Sequence, residues 1–167
     1  YRRLFAKYHA AGINVVEVWL CAWWLGLECI PDAPGNHGLG YYNEANAARL
    51  DRLLELAAAH DIYLNLETLN HGALSTLIDA DWPANPLSRT QPDGFLRYAT
   101  DFFSNDEAQR LHRQKLRYTV ARWGYSPNVA IWGLATECEW LEPYTRGLPW
   151  VRNDAVPTAS YVPRPYV

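Results

Sequence analysis

Apolar residues recur along the chain with two different spacings, and these predict its secondary structure. Spacings of three and four residues indicate helices over 1–11, 45–60 and 104–123. Short β-branched or apolar runs between the helices predict strands over 14–20, 62–69 and 129–134. The order of elements is therefore α-β-α-β-α-β.

Polar residues and glycines mark the expected helix ends. Gly12 and Gly124 follow the first and third helices, where a stop is expected. Asn43 can cap the second helix. Ser104 and Glu107 form the spacing of a capping box, which predicts that Ser104 caps the third helix.

Strands separated by helices predict an α/β fold with a parallel sheet, because such crossovers are right-handed. The long loops all follow strands, whereas the connections after helices are short. That asymmetry is typical of β/α barrels, which build their sites at the carboxyl ends of the strands. An open doubly wound sheet binds ligands at the same edge, so the loop pattern alone leaves both architectures open.

The chain divides into a patterned part, 1–140, and a segment, 141–167, interrupted by prolines and without periodicity. We expect the second part to be an irregular loop or tail. The chain starts inside a predicted helix and contains no Met, which suggests partial coverage of a longer protein. Three parallel strands also leave two unpaired edges, so we expect the remainder of a barrel, a second chain or the tail to complete the sheet.

Charge and motif content exclude several functional classes. The net charge of −3 argues against a general nucleic-acid binder. No apolar run is long enough to predict a membrane span. The three cysteines have no zinc-type spacing and are expected to be free thiols, and no sequence motif calls for a metal or a cofactor.

The aromatic residues are biased toward those with a polar group: 8 Trp and 11 Tyr against 4 Phe. Such rings suit pockets that meet partly polar ligands, including sugars, but they also suit protein interfaces. Six of the tryptophans lie at predicted strand ends or in the loops that follow them: Trp19, Trp23, Trp24, Trp82, Trp132 and Trp140. As a set they are consistent with a platform for sugar rings.

Glu137 follows the third predicted strand, where a carboxyl group can face a pocket away from bulk water. Burial there would favour the protonated form that a general acid needs. Position alone does not decide the role, because acidic residues at strand ends often form salt bridges.

A set of short motifs resembles the clan A glycoside hydrolases, in particular the cellulase-like barrels. The most specific is a Gly-Tyr-Ser-Pro-Asn sequence at 124–128, followed by Trp132 and Glu137. Further similar segments lie at 41–43, 50–51, 69–72 and 102–105. The resemblance covers about residues 1–140 and favours part of a (β/α)8 TIM barrel with three of its parallel strands.

The resemblance implies a retaining hydrolysis of β-linked polysaccharides or oligosaccharides, with Glu137 as the acid/base. In that chemistry a second carboxylate attacks the sugar, and the resemblance places it on a strand beyond this chain. We therefore expect the isolated chain to be inactive. An extracellular or cell-surface location also follows from the resemblance alone. The residues expected to contact substrate are Trp24, Asn70, His71, Trp82, Trp132, Thr136 and Trp140.

Two residues depart from the family pattern. Thr136 stands where the family usually has an Asn that binds the sugar 2-hydroxyl, and Glu17 stands where an Arg is common. Glu17 either adds negative charge near the site or pairs with an Arg nearby. These departures keep two alternatives open: a catalytically impaired carbohydrate-binding relic, or a structural α/β module whose tryptophans form an interface.

Overall fold

The computed structural model describes residues 1–142 and has the predicted alternation of helices and strands. The main elements are α1 (Arg2–Ala10), β1 (Val15–Trp19), α2 (Glu44–Ala59), β2 (Tyr63–Glu67), α3 (Asp106–Trp123) and β3 (Val129–Gly133). Short 3₁₀ helices lie at His71–Leu74, Trp82–Ala84, Ala99–Phe103 and Cys138–Trp140. The predicted α/β class with parallel strands is confirmed, and the predicted irregular segment lies outside the described residues apart from Leu141 and Glu142.

The three strands form one parallel sheet in the order β1-β2-β3. Leu64 and Leu66 point to the face that the helices cover and are fully buried. Asn65 and Glu67 alternate with them on the opposite face, as strand geometry requires. In the pairing register Glu17 lies beside Asn65, and Glu67 lies between Trp19 and Gly133. Polar side chains are therefore concentrated on one face, near the carboxyl ends of the strands.

The described residues pack around two apolar clusters. The first lies between the sheet and the helices and includes Phe5, Leu50, Leu64 and Trp123. The second is formed mainly by the long connection between β2 and α3, and it includes Leu74, Trp82, Leu96 and Phe102. That connection therefore has a core of its own, which holds a loop of this length in a defined position against the strand ends.

Two of the predicted caps can be compared directly with the structure. Asn43 caps α2 as predicted, since its side chain accepts a hydrogen bond from the Asn46 amide. The prediction for α3 was wrong by one residue: Asn105 is the cap, and its side chain accepts from the Ala108 amide. The Ser104 hydroxyl instead donates to the Asp101 carbonyl. An Asn is at least as good a cap as a Ser, so the neighbouring residue displaced the capping box.

All three cysteines are free thiols, with Cys21 and Cys29 buried. Burial raises the pKa of both buried thiols to about 11. At neutral pH they are therefore protonated and poorly nucleophilic, which fits a packing role. Among the described helices, none combines the length and apolar character needed to cross a membrane.

Candidate functional site

The carboxyl ends of β2 and β3 bring the predicted site residues to the same edge of the sheet. Asn70 and His71 follow β2, and Thr136 and Glu137 follow β3. The Thr136 amide donates to the Leu69 carbonyl at 3.0 Å, so the two segments continue side by side beyond the strands. The two pairs are far apart in the sequence, and the parallel pairing of β2 with β3 brings them together in space.

His71 lies between two carboxylates. Its Nε2 is 3.1 Å from Asp79 Oδ2, within hydrogen-bonding geometry. Its Nδ1 is 3.4 Å from Glu137 Oε2 without forming a hydrogen bond, and Nδ1 has no hydrogen-bond partner among residues 1–142. The His71 side chain is only 1% exposed, whereas those of Glu137 and Asp79 are 44% and 76% exposed. A buried imidazole therefore joins two carboxylates that reach solvent.

Close backbone packing places Asp79 against His71. A Cβ at Gly72 would lie 2.5 Å from the Asp79 carbonyl oxygen, so only glycine allows this approach. The Asp81 amide donates to the Gly72 carbonyl at 3.0 Å, which fixes the returning chain. Asp79 and Glu137 both have left-handed backbone, with φ of 45° and 49°. Non-glycine residues seldom adopt that conformation, and Asp does so more readily than most.

An open cleft of about 410 Å³ adjoins this group. The residues that line it are Trp19, Trp23, Asn70, His71, Asp79, Ala80 and Asp81. Trp23 is 69% exposed, and the Trp19 ring packs edge-on against His71 with the ring centroids 6.0 Å apart. Glu137 does not line the cleft itself, but it contacts His71, which forms part of the cleft wall. The cleft therefore combines indole rings with carboxylate, imidazole and amide groups, as ligand sites for partly polar molecules do.

Glu17 and Thr136, the two departures from the family pattern, contact each other. The Thr136 hydroxyl donates to Glu17 Oε1 at 3.4 Å, and the Trp19 indole N–H donates to the same oxygen. Within residues 1–142 the partners of Glu17 are thus a hydroxyl and an indole, and not the Arg considered as one explanation. Glu17 therefore lies next to the site and engages the Thr136 hydroxyl, which stands where the family that the sequence resembles usually has an amide.

Glu67 provides a further carboxylate on the same sheet face. It is 7% exposed, and its Oε1 accepts from the Asn65 side-chain amide at 2.9 Å. Its Oε2 has no hydrogen-bond partner in the described part of the chain. The carboxylate occupies the space above Gly133, where a Cβ would lie 2.0 Å from Oε2. Glu67 therefore depends on the absence of a side chain at the paired position of β3.

The tryptophans predicted to bind substrate occupy different surroundings. Trp82 is 5% exposed and belongs to the second apolar cluster, and Trp132 packs against the first. Trp24 is partly exposed but stacks on Tyr1, with centroids 5.4 Å apart. Trp140 lies in the short helix after Glu137 and is half-buried. None of these four lines the cleft, and the rings of Trp82 and Trp132 pack in or against the apolar clusters, so their substrate contacts stay predictions.

Two carboxylates of the site were missed by sequence reasoning. Asp79 and Asp81 lie within a long loop without a recognisable motif, and only the packing against Gly72 brings them to His71. The Trp19 and Trp23 rings that line the cleft belonged to the wider aromatic set but not to the predicted contacts. Within residues 1–142 no group of three or more His, Cys, Asp or Glu side chains is arranged to hold a metal ion.

No protein-family model matches the chain, and no curated protein is significantly similar to it. The functional argument therefore depends on the geometry described above and on the short motifs of the sequence.

Proposed function

We propose that this chain forms part of a retaining glycoside hydrolase, in which Glu137 is the acid/base. The observation that carries the proposal is the position of Glu137. It follows a strand of a parallel sheet, is partly open to solvent, and contacts a buried histidine in the wall of an indole-lined cleft. A carboxyl group in that setting can exchange protons with a ligand while the surrounding groups orient it.

The parallel sheet supports a β/α barrel as the complete architecture. Helices cover one face, whereas Glu17, Asn65 and Glu67 lie on the other, as residues inside a barrel would. The long connections follow the strands, where barrel enzymes place their active sites. In this proposal the second carboxylate comes from a part of the barrel that these three strands do not include.

The proposed chemistry uses the Glu137 carboxyl group twice. In its protonated form Glu137 gives its proton to the glycosidic oxygen as the second carboxylate attacks the anomeric carbon. In its ionised form Glu137 then takes a proton from the water that releases the sugar. The Trp19 and Trp23 rings offer apolar faces to a sugar, and the Asn70 amide and Asp81 carboxylate can orient hydroxyl groups. The substrate class is a β-linked oligosaccharide or polysaccharide.

The test is substitution of Glu137→Gln in the full-length protein, with Glu139→Gln as its matched control. Glu139 is an exposed glutamate two residues away, in the short helix that follows Glu137. Loss of general acid catalysis lowers kcat on an unactivated glycan by about 10²-fold to 10⁴-fold, whereas the control keeps its rate. Turnover is measured as release of reducing sugar. An unchanged rate in Glu137→Gln contradicts the proposal.

A second candidate function is carbohydrate binding without hydrolysis. The contact between Thr136 and Glu17 favours it, because the Thr136 hydroxyl is occupied and cannot replace the reach of an amide toward the sugar. Quenching of Trp fluorescence by glycans, with no reducing sugar released over a panel of substrates, would select this function. Turnover that depends on Glu137 would exclude it.

A further inference from the structure

The arrangement around His71 has a feature that the proposed hydrolysis leaves unexplained. Both ring nitrogens of a fully buried imidazole face carboxylates, but the two contacts differ. Nε2 is hydrogen-bonded to Asp79, whereas Nδ1 lies 3.4 Å from Glu137 Oε2 without a hydrogen bond. A side chain buried to this extent with an unpaired nitrogen indicates that a hydrogen-bond partner belongs at Nδ1.

For a neutral imidazole, the chemistry of the two contacts constrains where the protons lie. An ionised Asp79 only accepts hydrogen bonds, so the hydrogen of a neutral imidazole lies on Nε2. Nδ1 is then an acceptor with a free lone pair, and the nearest oxygen is Glu137 Oε2. An acceptor gains a hydrogen bond from that oxygen only when the carboxyl group is protonated. Asp79 thereby selects the tautomer of His71, as carboxylate partners of histidine do elsewhere.

We propose that Asp79 and His71 are positioning residues that hold Glu137 in its protonated form. The inference rests on the proposed function, because a protonated Glu137 is the form that begins glycosidic cleavage. A small turn of the Glu137 side chain completes its hydrogen bond to Nδ1. Asp81 is a further charged group of the cleft wall, and it lies beside Gly72.

The charge of His71 does not change during the proposed reaction. When substrate binds, the Glu137 proton turns from Nδ1 to the glycosidic oxygen. The bond between that oxygen and the anomeric carbon breaks, and its electron pair stays on the oxygen, which keeps the proton. Glu137 is left ionised and recovers a proton from the water that attacks later. His71 keeps its Nε2 hydrogen on Asp79 throughout.

The position of the proton on His71 can be tested without turnover. Long-range ¹H–¹⁵N spectra of the ¹⁵N-histidine-labelled full-length protein report which ring nitrogens carry hydrogen. The expected result at neutral pH is one tautomer with hydrogen on Nε2 and a bare Nδ1. Hydrogen on Nδ1, in the neutral or the doubly protonated ring, overturns the inference even if the protein hydrolyses glycans.

Kinetics test whether His71 and Asp79 support general acid catalysis by Glu137. Glutamine at position 71 reaches Asp79 but offers Glu137 no acceptor, whereas asparagine can place its carbonyl oxygen near the Nδ1 position. We expect His71→Gln to lower kcat/KM by about 10-fold to 100-fold on glycosides with poor leaving groups, the lower part of what general acid catalysis contributes. Substrates with a dinitrophenolate leaving group need no proton and lose less than about 3-fold. His71→Asn is expected to recover part of the loss.

Asp79→Asn provides a variant at an exposed side chain, in case substitutions of buried His71 prevent folding. Its matched control is Asp61→Asn, since Asp61 also has positive φ and an exposed carboxylate near a histidine, 3.8 Å from His9 Nδ1. The expected result is the same dependence on the leaving group in Asp79→Asn, and wild-type kinetics in Asp61→Asn. Equal losses on good and poor leaving groups overturn the positioning role. A wild-type protein that binds glycans but never hydrolyses them refutes the proposed function instead, and leaves the spectra to decide the tautomer.

Discussion

At the scale of single residues, Glu67 and Gly133 form a pair across neighbouring strands. The Glu67 carboxylate occupies the space that a side chain at position 133 would fill. The backbone of Gly133 is in a strand and does not have positive φ, so the backbone itself would accept alanine. Only the carboxylate requires glycine here.

Gly133→Ala is therefore expected to destabilise the protein by about 1–3 kcal/mol, the usual cost of overpacking. The methyl group must push a 7% exposed carboxylate away from its hydrogen bond to Asn65. The same substitution in a Glu67→Ala background is expected to change stability by less than about 0.5 kcal/mol. Urea denaturation of the four proteins of this cycle measures both values. A cost that persists in the Glu67→Ala background would point to a different clash.

The sequence located some site residues better than others, for a physical reason. Glu137, Asn70 and His71 directly follow strands, so parallel pairing brings them together once the strands are known. Asp79 reaches His71 only because the intervening loop folds around its own apolar cluster and returns over Gly72. The packing of this loop leaves no periodic pattern in the sequence. It also buries Trp82, which was predicted to contact a ligand from its residue type alone.

At the scale of elements, Asp51 joins α2 to α3. Its carboxylate accepts from Arg122 Nη2 at 2.9 Å and from the Trp123 indole N–H at 2.6 Å. Trp123 is fully buried, so this carboxylate is the acceptor for an indole N–H that water does not reach. The hydrogen bond from Arg122 lowers the pKa of Asp51, with a smaller contribution from Trp123, although burial opposes both.

Asp51→Ala is expected to cost about 1–3 kcal/mol of folding free energy, because it leaves the buried indole donor without a partner. Asp51→Asn keeps an oxygen acceptor and is expected to cost less. The matched control is Glu55→Ala, on the same helix, which removes only a surface pair with Arg52 and changes stability by less than about 1 kcal/mol. Thermal and chemical denaturation compare the three. Equal losses in Asp51→Ala and Asp51→Asn would show that charge matters more than the indole contact.

Helices and strands were predicted to within about two residues, because their periodicity records which face is buried. Leu50, Leu53 and Leu54 gave the buried side of α2, and Leu64 and Leu66 that of β2. The start of α3 was displaced because Ser104 and Asn105 are both good caps, and sequence does not rank adjacent candidates. The 3₁₀ helices of the long connections were not predicted, since their turns follow from tertiary packing.

At the scale of the whole molecule, His112 lies where the two apolar clusters approach each other. It borders a partly open cavity of about 70 Å³, whose wall includes residues of both clusters, and packs edge-on against Phe102 with centroids 5.2 Å apart. Burial, with a smaller contribution from nearby Lys115, lowers the pKa of His112 from 6.5 to about 4. The folded protein therefore resists protonation of a ring that the unfolded chain protonates readily.

This difference makes stability depend on pH between about 6.5 and about 4. Above that interval the ring is neutral in both states, and the stability is present in full. As the pH falls through it, the unfolded chain gains a proton that the folded chain does not, so the folded state loses stability. The loss is on the order of 2 kcal/mol, because one pKa unit corresponds to about 1.4 kcal/mol and the ring is partly open to solvent.

His112→Leu removes the titrating group and is expected to flatten the free energy of unfolding over this interval. His9→Leu, a control at a side chain that is 55% exposed, is expected to keep the wild-type slope. Urea denaturation at a series of pH values measures this slope. Asp51 is expected to lose its contribution only at lower pH, because the pKa of its carboxyl group lies below the ordinary value of 3.8. If His112→Leu and the wild type lose stability in parallel between pH 6.5 and pH 4, the titration of a group other than His112 causes the loss of stability.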